Sequence, residues 1–393
     1  MKIQVLTAYN VYPPAFGGPA RVFHLCRVLA RGAEVRVACV VGMRDRAAAR
    51  QRVTGVEIAR IKPRHPALAY YLERAGLAPD VIGYDLHRRW PRPLLAALDA
   101  AAHVWHIESL VLTVFFEHAP RGALKVYASQ NVEAEWFERV GPAVLFRGRW
   151  ARHLAEIERR AAERADLVLA VSDEDRAEFV RRYGTPVDKI EVVENGFDPD
   201  EARPPSAEER ATARRALGLG DERALLFVGS NFRHNRLAVE DLFRHVVPGL
   251  GRLDARLVLA GSVAGAFAAR ARREGGGRVL CLGAVPDLRP ALWAADVALH
   301  PVTTGAGSNV KLPMYLGAGL PVLSTAFGVR GFGRLASCVA QAPVGEFAAA
   351  LARGVAYDPA VAGPLAWYSW DAIGERLAAA YRRRLGREVA CAS

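Results

Sequence analysis

The residues best suited to chemistry are Thr303-Thr304-Gly305-Ala306-Gly307-Ser308-Asn309-Val310-Lys311. They follow an apolar run with strand character, Asp296 to His300, and lead into Tyr315-Leu316-Gly317-Ala318-Gly319, which reads as a short helix ending in glycine. Pro321-Val322-Leu323-Ser324 is then another strand. A glycine-rich loop between strand and helix presents backbone N–H groups and the positive end of a helix to an anion. Lys311 adds a point charge in the first helical turn. The chain has only five lysines (2, 62, 125, 189 and 311) among 53 basic residues, so a lysine retained at this spot is informative. A plain strand-to-helix turn with a solvated lysine gives the same local pattern, and the stretch alone leaves both readings open.

A second group of candidates closes strand-like runs in the first half. Val104 to Ser109 carries His106 and Glu108, two residues apart and so on one face of a strand. Leu124 to Ser129 continues into Gln130-Asn131-Val132-Glu133. Leu167 to Ser172 precedes a charged helix, and Ile190 to Val193 ends in Glu194-Asn195-Gly196-Phe197-Asp198. In parallel sheets the carboxyl ends of strands face the ligand crevice. Polar residues at four such ends point to a site, although each one alone reads as a helix cap or a surface residue. Gly17-Gly18 also follow a first strand, residues 2–7. No GxGxxG accompanies them, which argues against a dinucleotide fingerprint.

These residues need elements to hold them. At 393 residues the chain suits two domains of about 150–200 residues. Half of it is hydrophobic, so sizeable cores are expected, and no apolar run reaches the ~18 residues of a spanning helix. Met1-Lys2-Ile3-Gln4-Val5-Leu6 reads as a strand start and not as a signal peptide. Five scattered cysteines without a CxxC pair favour a reducing cytoplasm over a disulfide scaffold or a zinc site. The formal charge is +12 and the pI about 9.8. The basic residues are dispersed and no nucleic-acid motif accompanies them, so no nucleic acid partner is expected. A phosphate-bearing substrate, or peripheral contact with anionic lipid at the inner membrane face, fits the charge.

In chain order, Pro19 to Ala30 has helical spacing in Val22, Leu25, Cys26 and Leu29, and residues 35–41 form the next strand. Residues 42–100 are harder to read. Arg44 to Arg52 is basic and polar, Pro63 to Pro93 is either a second-substrate pocket or solvated surface, and Leu94 to Ala102 is helical in composition. Arg147 to Arg164 is a basic helix packed on the sheet, with a partner or membrane face as the other reading. After a linker at 199–222, strands recur at 225–228, 257–260, 279–282, 297–299 and 322–323. Two such alternating series predict an α/β fold of two Rossmann-like, doubly wound domains facing a cleft. The expected boundaries are 1–198 and 199–365, with a closing segment 366–393 whose helix, Trp367 to Leu385, packs back on the first domain.

The order of these pieces resembles the GT-B glycosyltransferases, specifically the retaining GT4 family. The resemblance rests on Pro-Pro-x-x-Gly17-Gly18-x-x-Arg21, Ser129-Gln130-Asn131-Val132-Glu133, Ala165-Asp166-Leu167-Val168 and Val193-Glu194-Asn195-Gly196-Phe197-Asp198. It continues through Phe227-Val228-Gly229-Ser230, Val258-Leu259-Ala260-Gly261, Lys311 with Gly319-Leu320-Pro321-Val322, and Ser369-Trp370. It implies transfer of a sugar from a nucleotide sugar, UDP-, GDP- or dTDP-linked, with retention and without a metal or other cofactor. The acceptor would be a small molecule, a glycan or a lipid-linked sugar.

By position, the resemblance puts Ser230, Arg233 and Lys311 on the donor phosphates, with Gly307, Ser308 and Asn309 beside them and Gly17 and Gly18 approaching the donor from the opposite side. Gly283 and Val285 fall where the base stacks. Glu108 and His106 are the catalytic candidates, and Arg21, Asn131 and Glu133 belong to the acceptor side. The family has two glutamates eight positions apart around the glycine loop, the second holding the ribose hydroxyls; here Ala306 and Met314 occupy those places. A donor with a deoxyribose, a substitute such as Asn309, or loss of turnover would each account for this. Pro313 predicts a helix that begins later than usual or a distorted first turn. Two other functions stay open: a nucleotide-sugar epimerase or hydrolase, and a non-catalytic relative binding a nucleotide or a partner transferase.

Overall fold

The computed structural model describes the chain apart from residues 15–16, 43–47, 63–67, 69–70, 73–74, 78, 80, 306 and 393, and apart from the side chains of 48–49, 93 and 387–392. It divides into two compact units. Unit 1 comprises Met1–Glu194 and Trp370–Ser393, and unit 2 comprises Asn195–Ser369. The sequence reading placed these changeovers after 198 and after 365.

Unit 1 is built on eight strands. They are β1 (Lys2–Thr7), β2 (Glu34–Val40), β3 (Ala48–Val53), β4 (Val56–Ile61), β5 (Val104–Ile107), β6 (Leu124–Ala128), β7 (Leu167–Ala170) and β8 (Ile190–Val192), in the spatial order β3-β4-β2-β1-β5-β6-β7-β8. All neighbours are parallel except β3 and β4. The sheet is buried on both faces, which is why its central strands read as unbroken apolar runs. Ile3 and Val5 join the core under helix Gly17–Leu29, whereas Leu6 joins the core on the opposite face.

The terminal helix Trp370–Ala392 lies on the first of these faces and buries Trp370, Ile373, Leu377 and Tyr381, a spacing of three and four residues. It starts three residues later than the sequence suggests. Gly374 lets it come close to helix Gly17–Leu29, since a Cβ there would lie 2.5 Å from the Val28 Cβ. His24 stacks on Trp370 at 5.5 Å, and Arg31 pairs with Asp371 at 2.8 Å.

On the other face, helix Arg147–Arg164 buries Leu154, Ile157, Glu158, Ala161 and Ala162. Of its outward arginines, Arg159 and Arg160 pair with Glu156, and Arg164 pairs with Glu117. Glu158 accepts from the Glu133 and Ala134 amides at 2.8 and 3.1 Å and from the Tyr183 hydroxyl at 2.7 Å; burial pushes its carboxyl up to about 7. It therefore fixes the start of helix Glu133–Val140, next to the polar end of β6.

Two stretches add to or depart from the expectations. Of the basic segment Arg44 to Arg52, residues 48–52 belong to an edge hairpin and 44–47 lie outside the described residues; the turn residues Thr54 and Gly55 both have positive φ, +46° and +86°, as a two-residue primed turn requires. Leu94 to Ala102 is not a helix. One turn, Arg92–Leu95, gives way to irregular chain because Asp99 spends itself otherwise. Its carboxylate accepts from the Ala101 amide and from Arg36, and its own amide donates to Gln4.

Unit 2 has six strands, all parallel: β9 (Arg223–Val228), β10 (Ala255–Ala260), β11 (Val279–Gly283), β12 (Val297–His300), β13 (Val322–Ser324) and β14 (Ala340–Gln341), ordered β11-β10-β9-β12-β13-β14. The order reverses between β9 and β12. The helix that opens this unit, Ala207–Ala216, starts at a capping box formed by Ser206 and Glu209. In unit 1 the reversal lies between β1 and β5. Both reversals are the places where doubly wound sheets receive ligands. Among the described residues no helix is long and apolar enough to cross a membrane.

Gly261 follows β10 with φ +89°, and a Cβ there would sit 2.3 Å from the Gly229 carbonyl oxygen. Gly261→Ala is therefore expected to destabilise unit 2 by about 2 kcal/mol or more, read as a lower denaturant midpoint. Gly265, in helix Ser262–Glu274 with nothing within 4 Å of a built Cβ, is the control. Gly265→Ala is expected to raise stability by about 0.5–1 kcal/mol.

Candidate functional site

In unit 2 the candidate residues meet where β9 and β12 part. After β9 come Gly229 and Ser230, then helix Arg233–His245; after β12 comes the glycine loop, then helix Lys311–Gly317. The Tyr315 hydroxyl accepts from the Val228 amide at 2.8 Å and pins this short helix to the end of β9. Pro313 stands in the first turn of this helix, where a missing N–H donor costs nothing. The Leu312 amide turns back to the Asn309 carbonyl at 3.1 Å.

Lys311 donates from Nζ to Asn235 Oδ1. Asn235, itself buried, donates from Nδ2 to the Ser230 carbonyl at 2.9 Å and to Ser230 Oγ at 3.2 Å. Lys311 and Ser230 are thus joined through a residue to which the sequence reading gave no role. The ammonium lies 5.1 Å from the centre of the Phe227 ring. Burial pushes its pKa down to about 7. Two further bases stand near, His300 buried and His234 half-buried. His300 is pushed down to about 3 and His234 to about 4, each by burial first and by the Lys311 charge second. Among the described residues no carboxylate pairs with Lys311. A desolvated cation without a counter-charge is costly, and an anion entering here would relieve that cost.

The glycine loop has the backbone that such a ligand needs. Gly305 and Gly307 have φ +144° and +67° and are buried. Ser308 Oγ accepts from Asn195 Nδ2 at 2.9 Å, and Asn309 donates to the Gly328 carbonyl at 3.4 Å, so both side chains hold the loop in place. Arg233 is exposed at the first position of its helix. Gly283, with φ +72°, ends β11 and accepts from the Gly261 amide at 2.8 Å, while Val285 is half-buried just beyond it. Met314 packs half-buried against the apolar core of unit 2. Ala306 lies outside the described residues.

In unit 1 a pocket of about 240 Å³ opens at the β1/β5 reversal. Its polar lining includes Tyr9, Glu108, Ser109, Gln130, Asn131 and Glu133, drawn from the ends of β1, β5 and β6. Glu108 is buried. One carboxylate oxygen meets His106 Nε2 at 2.8 Å and the other accepts from Gln130 Nε2 at 3.2 Å. Burial pushes its carboxyl up, but the His106 hydrogen bond, the Arg21 charge and the Gln130 hydrogen bond hold it below the usual carboxylate range. Gln130 also donates to the Tyr9 hydroxyl, and burial raises the pKa of that phenol. Gly18 borders this wall: a Cβ there would meet Gln130 Oε1 at 2.9 Å and the Tyr9 hydroxyl at 3.3 Å. Gly17 is the first residue of the same helix.

Other candidates have different neighbours. His106 stands behind Glu108 and does not line the pocket. Arg21 is buried, donating to the Val193 and Glu194 carbonyls at 2.8 Å each, which ties the opening helix to the end of β8. Of the four polar strand ends, those of β5 and β6 join the pocket. Ser172 caps helix Asp173–Tyr183 by accepting from the Asp175 amide, and Glu194 pairs with Arg376 at 3.0 Å. The residues to which the sequence reading gave no individual role are Asn235, His234, His300, Tyr9 and Gln130. Asn235 carried one signal: asparagine is a poor choice inside a helix unless its side chain has a task.

Two family descriptions match the chain in succession: Glycosyltransferase Family 4 over residues 17–201 and Glycosyl transferases group 1 over residues 222–356. Among curated proteins, the chain is 29% identical over 254 residues to the D-inositol 3-phosphate glycosyltransferase of Mycobacterium tuberculosis, covering 58% of this chain and 51% of that protein. The chain thus spans about half the length of the curated relatives it matches. Among solved structures, sucrose-phosphate synthase from Thermosynechococcus elongatus has a TM-score of 0.71 at 18% identity, covering 98% of this chain and 100% of that one. The Anabaena protein HepE in complex with UDP-glucose has a TM-score of 0.61 at 14% identity, with both chains fully covered. Taken in order, the paired family matches and the two parallel sheets lead to one statement: the chain belongs to the family 4, group 1 glycosyltransferases and has the GT-B fold.

Proposed function

We propose that this chain transfers a glycosyl group from a nucleoside diphosphate sugar to a hydroxyl of a polar acceptor, with retention and without a metal ion. The observation that carries this reading is Lys311, a desolvated cation with no carboxylate partner among the described residues, linked through Asn235 to Ser230 beside a glycine loop. A diphosphate supplies the missing charge. In the reaction the bond from the anomeric carbon to the diphosphate oxygen breaks, the acceptor oxygen bonds to that carbon on the same face, and the acceptor's proton passes to the departing phosphate. The protein's task is to stabilise the negative charge that grows on the diphosphate, which falls to Lys311, Arg233 and the loop amides. The name of the UDP-glucose complex of HepE supports a nucleotide-sugar donor. The acceptor takes the unit 1 pocket, where ionised Glu108 accepts a hydrogen bond from an acceptor hydroxyl.

Lys311→Ala is expected to lower kcat by at least about a hundredfold and to weaken nucleotide binding, with an unchanged circular-dichroism spectrum. Near-wild-type turnover would remove the phosphate site. Chelator is expected to leave the wild-type rate unchanged.

The Lys311 shift fixes two signs. Its folded pKa lies below the unfolded value of 10.5, so above about 7 the unfolded chain binds more protons, and stability rises with pH from about 7 toward 10.5. Lys311→Met should remove that rise. Because a bound diphosphate favours the ammonium form, nucleotide binding between those pH values should take up about one proton. Calorimetry of UDP or dTDP in buffers of different ionisation enthalpy measures the uptake.

Met314 offers no hydrogen bond to reward a 2′-hydroxyl. UDP and dTDP are therefore expected to bind within about tenfold of each other, and Met314→Glu to shift preference toward UDP by about tenfold. Titrations of both variants with both nucleotides check this.

A further inference from the structure

We propose that Tyr381, on the terminal helix, is a positioning residue for Glu108: its hydroxyl fixes the tautomer of His106 so that the ring's Nε2–H is held on the pocket carboxylate. The acceptor role of that carboxylate rests on the function proposed above; the tautomer does not.

The chain of contacts is buried throughout and crosses unit 1 from its terminal helix to its pocket. The Tyr381 hydroxyl meets His106 Nδ1, His106 Nε2 meets Glu108 Oε1 at 2.8 Å, and Glu108 Oε2 accepts from Gln130 Nε2 at 3.2 Å. Tyr381, His106 and Glu108 are 0%, 2% and 5% exposed. The tyrosine ring stands edge-on to the imidazole, at 6.2 Å and 81°. An ionised carboxylate can only accept, so the Nε2 facing it carries a proton. Nδ1 then either accepts from the tyrosine hydroxyl, leaving the ring neutral, or carries a second proton and makes the ring a cation.

The surroundings favour the neutral ring. The titratable and charged groups around this cluster are Tyr9 beyond β1, Arg21 and Cys26 on the opening helix, Glu108 on the same segment and Tyr381 on the terminal helix. Arg21 faces both Glu108 and Glu194, and Glu194 is paired with Arg376, so these four charges balance and a further buried cation would leave the cluster with net charge. Burial and the nearby Glu108 raise the Tyr381 pKa well above that of an ordinary phenol, so its hydroxyl keeps its proton and is available as a donor. The proton order is therefore Tyr381 O–H to Nδ1, then Nε2–H to Glu108. Each carboxylate oxygen has one fixed protein partner, and the remaining lone pairs serve the pocket. Without the tyrosine hydroxyl, Nδ1 becomes a buried acceptor with nothing to accept from. The ring can then move its proton to Nδ1, which turns a lone pair toward Glu108, or take up a second proton.

Tyr381→Phe keeps the ring and its volume and removes only the hydroxyl. The test is nitrogen NMR of histidine-labelled protein, with the His106 signals assigned by their loss in His106→Gln. In the wild type we expect the ring to carry its proton at Nε2. In Tyr381→Phe the proton should move in part to Nδ1, or the ring should become doubly protonated. With the same variant, kcat should fall about tenfold at constant donor KM, and the acid limb of the pH–rate profile should move upward. A wild-type ring protonated at Nδ1 overturns the proposal without need of any variant. So does an unchanged tautomer in Tyr381→Phe, or a changed tautomer with unchanged kcat. If the wild type transfers no sugar at all, the proposed function fails, while the NMR result still decides the tautomer.

Discussion

A partly buried cation without a carboxylate partner among the described residues is the constraint around which unit 2 is arranged. Lys311 is kept in place by Asn235, by the face of Phe227 and by a short helix anchored through Tyr315. Each of these depends on where β9 and β12 end. The reversal of strand order leaves a gap between those two ends, and the glycine loop and the start of helix Arg233–His245 fill its margins. Gly229 and Gly261 let the backbone come close enough there for this arrangement to close. The imidazoles of His234 and His300 remain neutral beside the lysine, so of these three neighbouring bases only Lys311 can bring positive charge near neutral pH. Binding an anion and charging the lysine are then one event.

Unit 1 solves the opposite problem. Its pocket is built around a buried anion, and the surrounding groups keep that anion ionised. His106, Arg21 and Gln130 do this from three different elements. The opening and terminal helices pack on the same sheet face, so residues from both ends of the unit's sequence support a carboxylate on the middle strand β5. Local sequence order says little about such a cluster, because Arg21 and Tyr381 reach it from opposite ends of the unit's sequence.

Much of the architecture was legible because a sheet covered on both faces writes its strands as plain apolar runs. Residues 2–7, 104–107, 167–170 and 255–260 illustrate this. The loop at 303–311 was legible because glycines with positive φ and a lone lysine are chemically conspicuous. The hairpin through Thr54 and Gly55 was not, since an edge strand carries charged residues and its turn lacked the usual asparagine or aspartate. Leu94 to Ala102 had helical composition, but the side chain of Asp99 offered the backbone other partners. The link from Lys311 through Asn235 to Ser230, and that from Tyr381 through His106 to Glu108, join residues far apart in the sequence, and only the fold brings them together.

The central claim concerns the protonation of one side chain, and five lysines make it accessible. Carbon NMR of protein labelled at the lysine ε-position, assigned with Lys311→Met, would follow Lys311 through a pH titration with and without a nucleoside diphosphate. The account predicts a midpoint near about 7 in the free protein, against 10.5 for an ordinary lysine, and a clear rise once nucleotide is bound. A midpoint near the ordinary value in the free protein, unmoved by nucleotide, would contradict it.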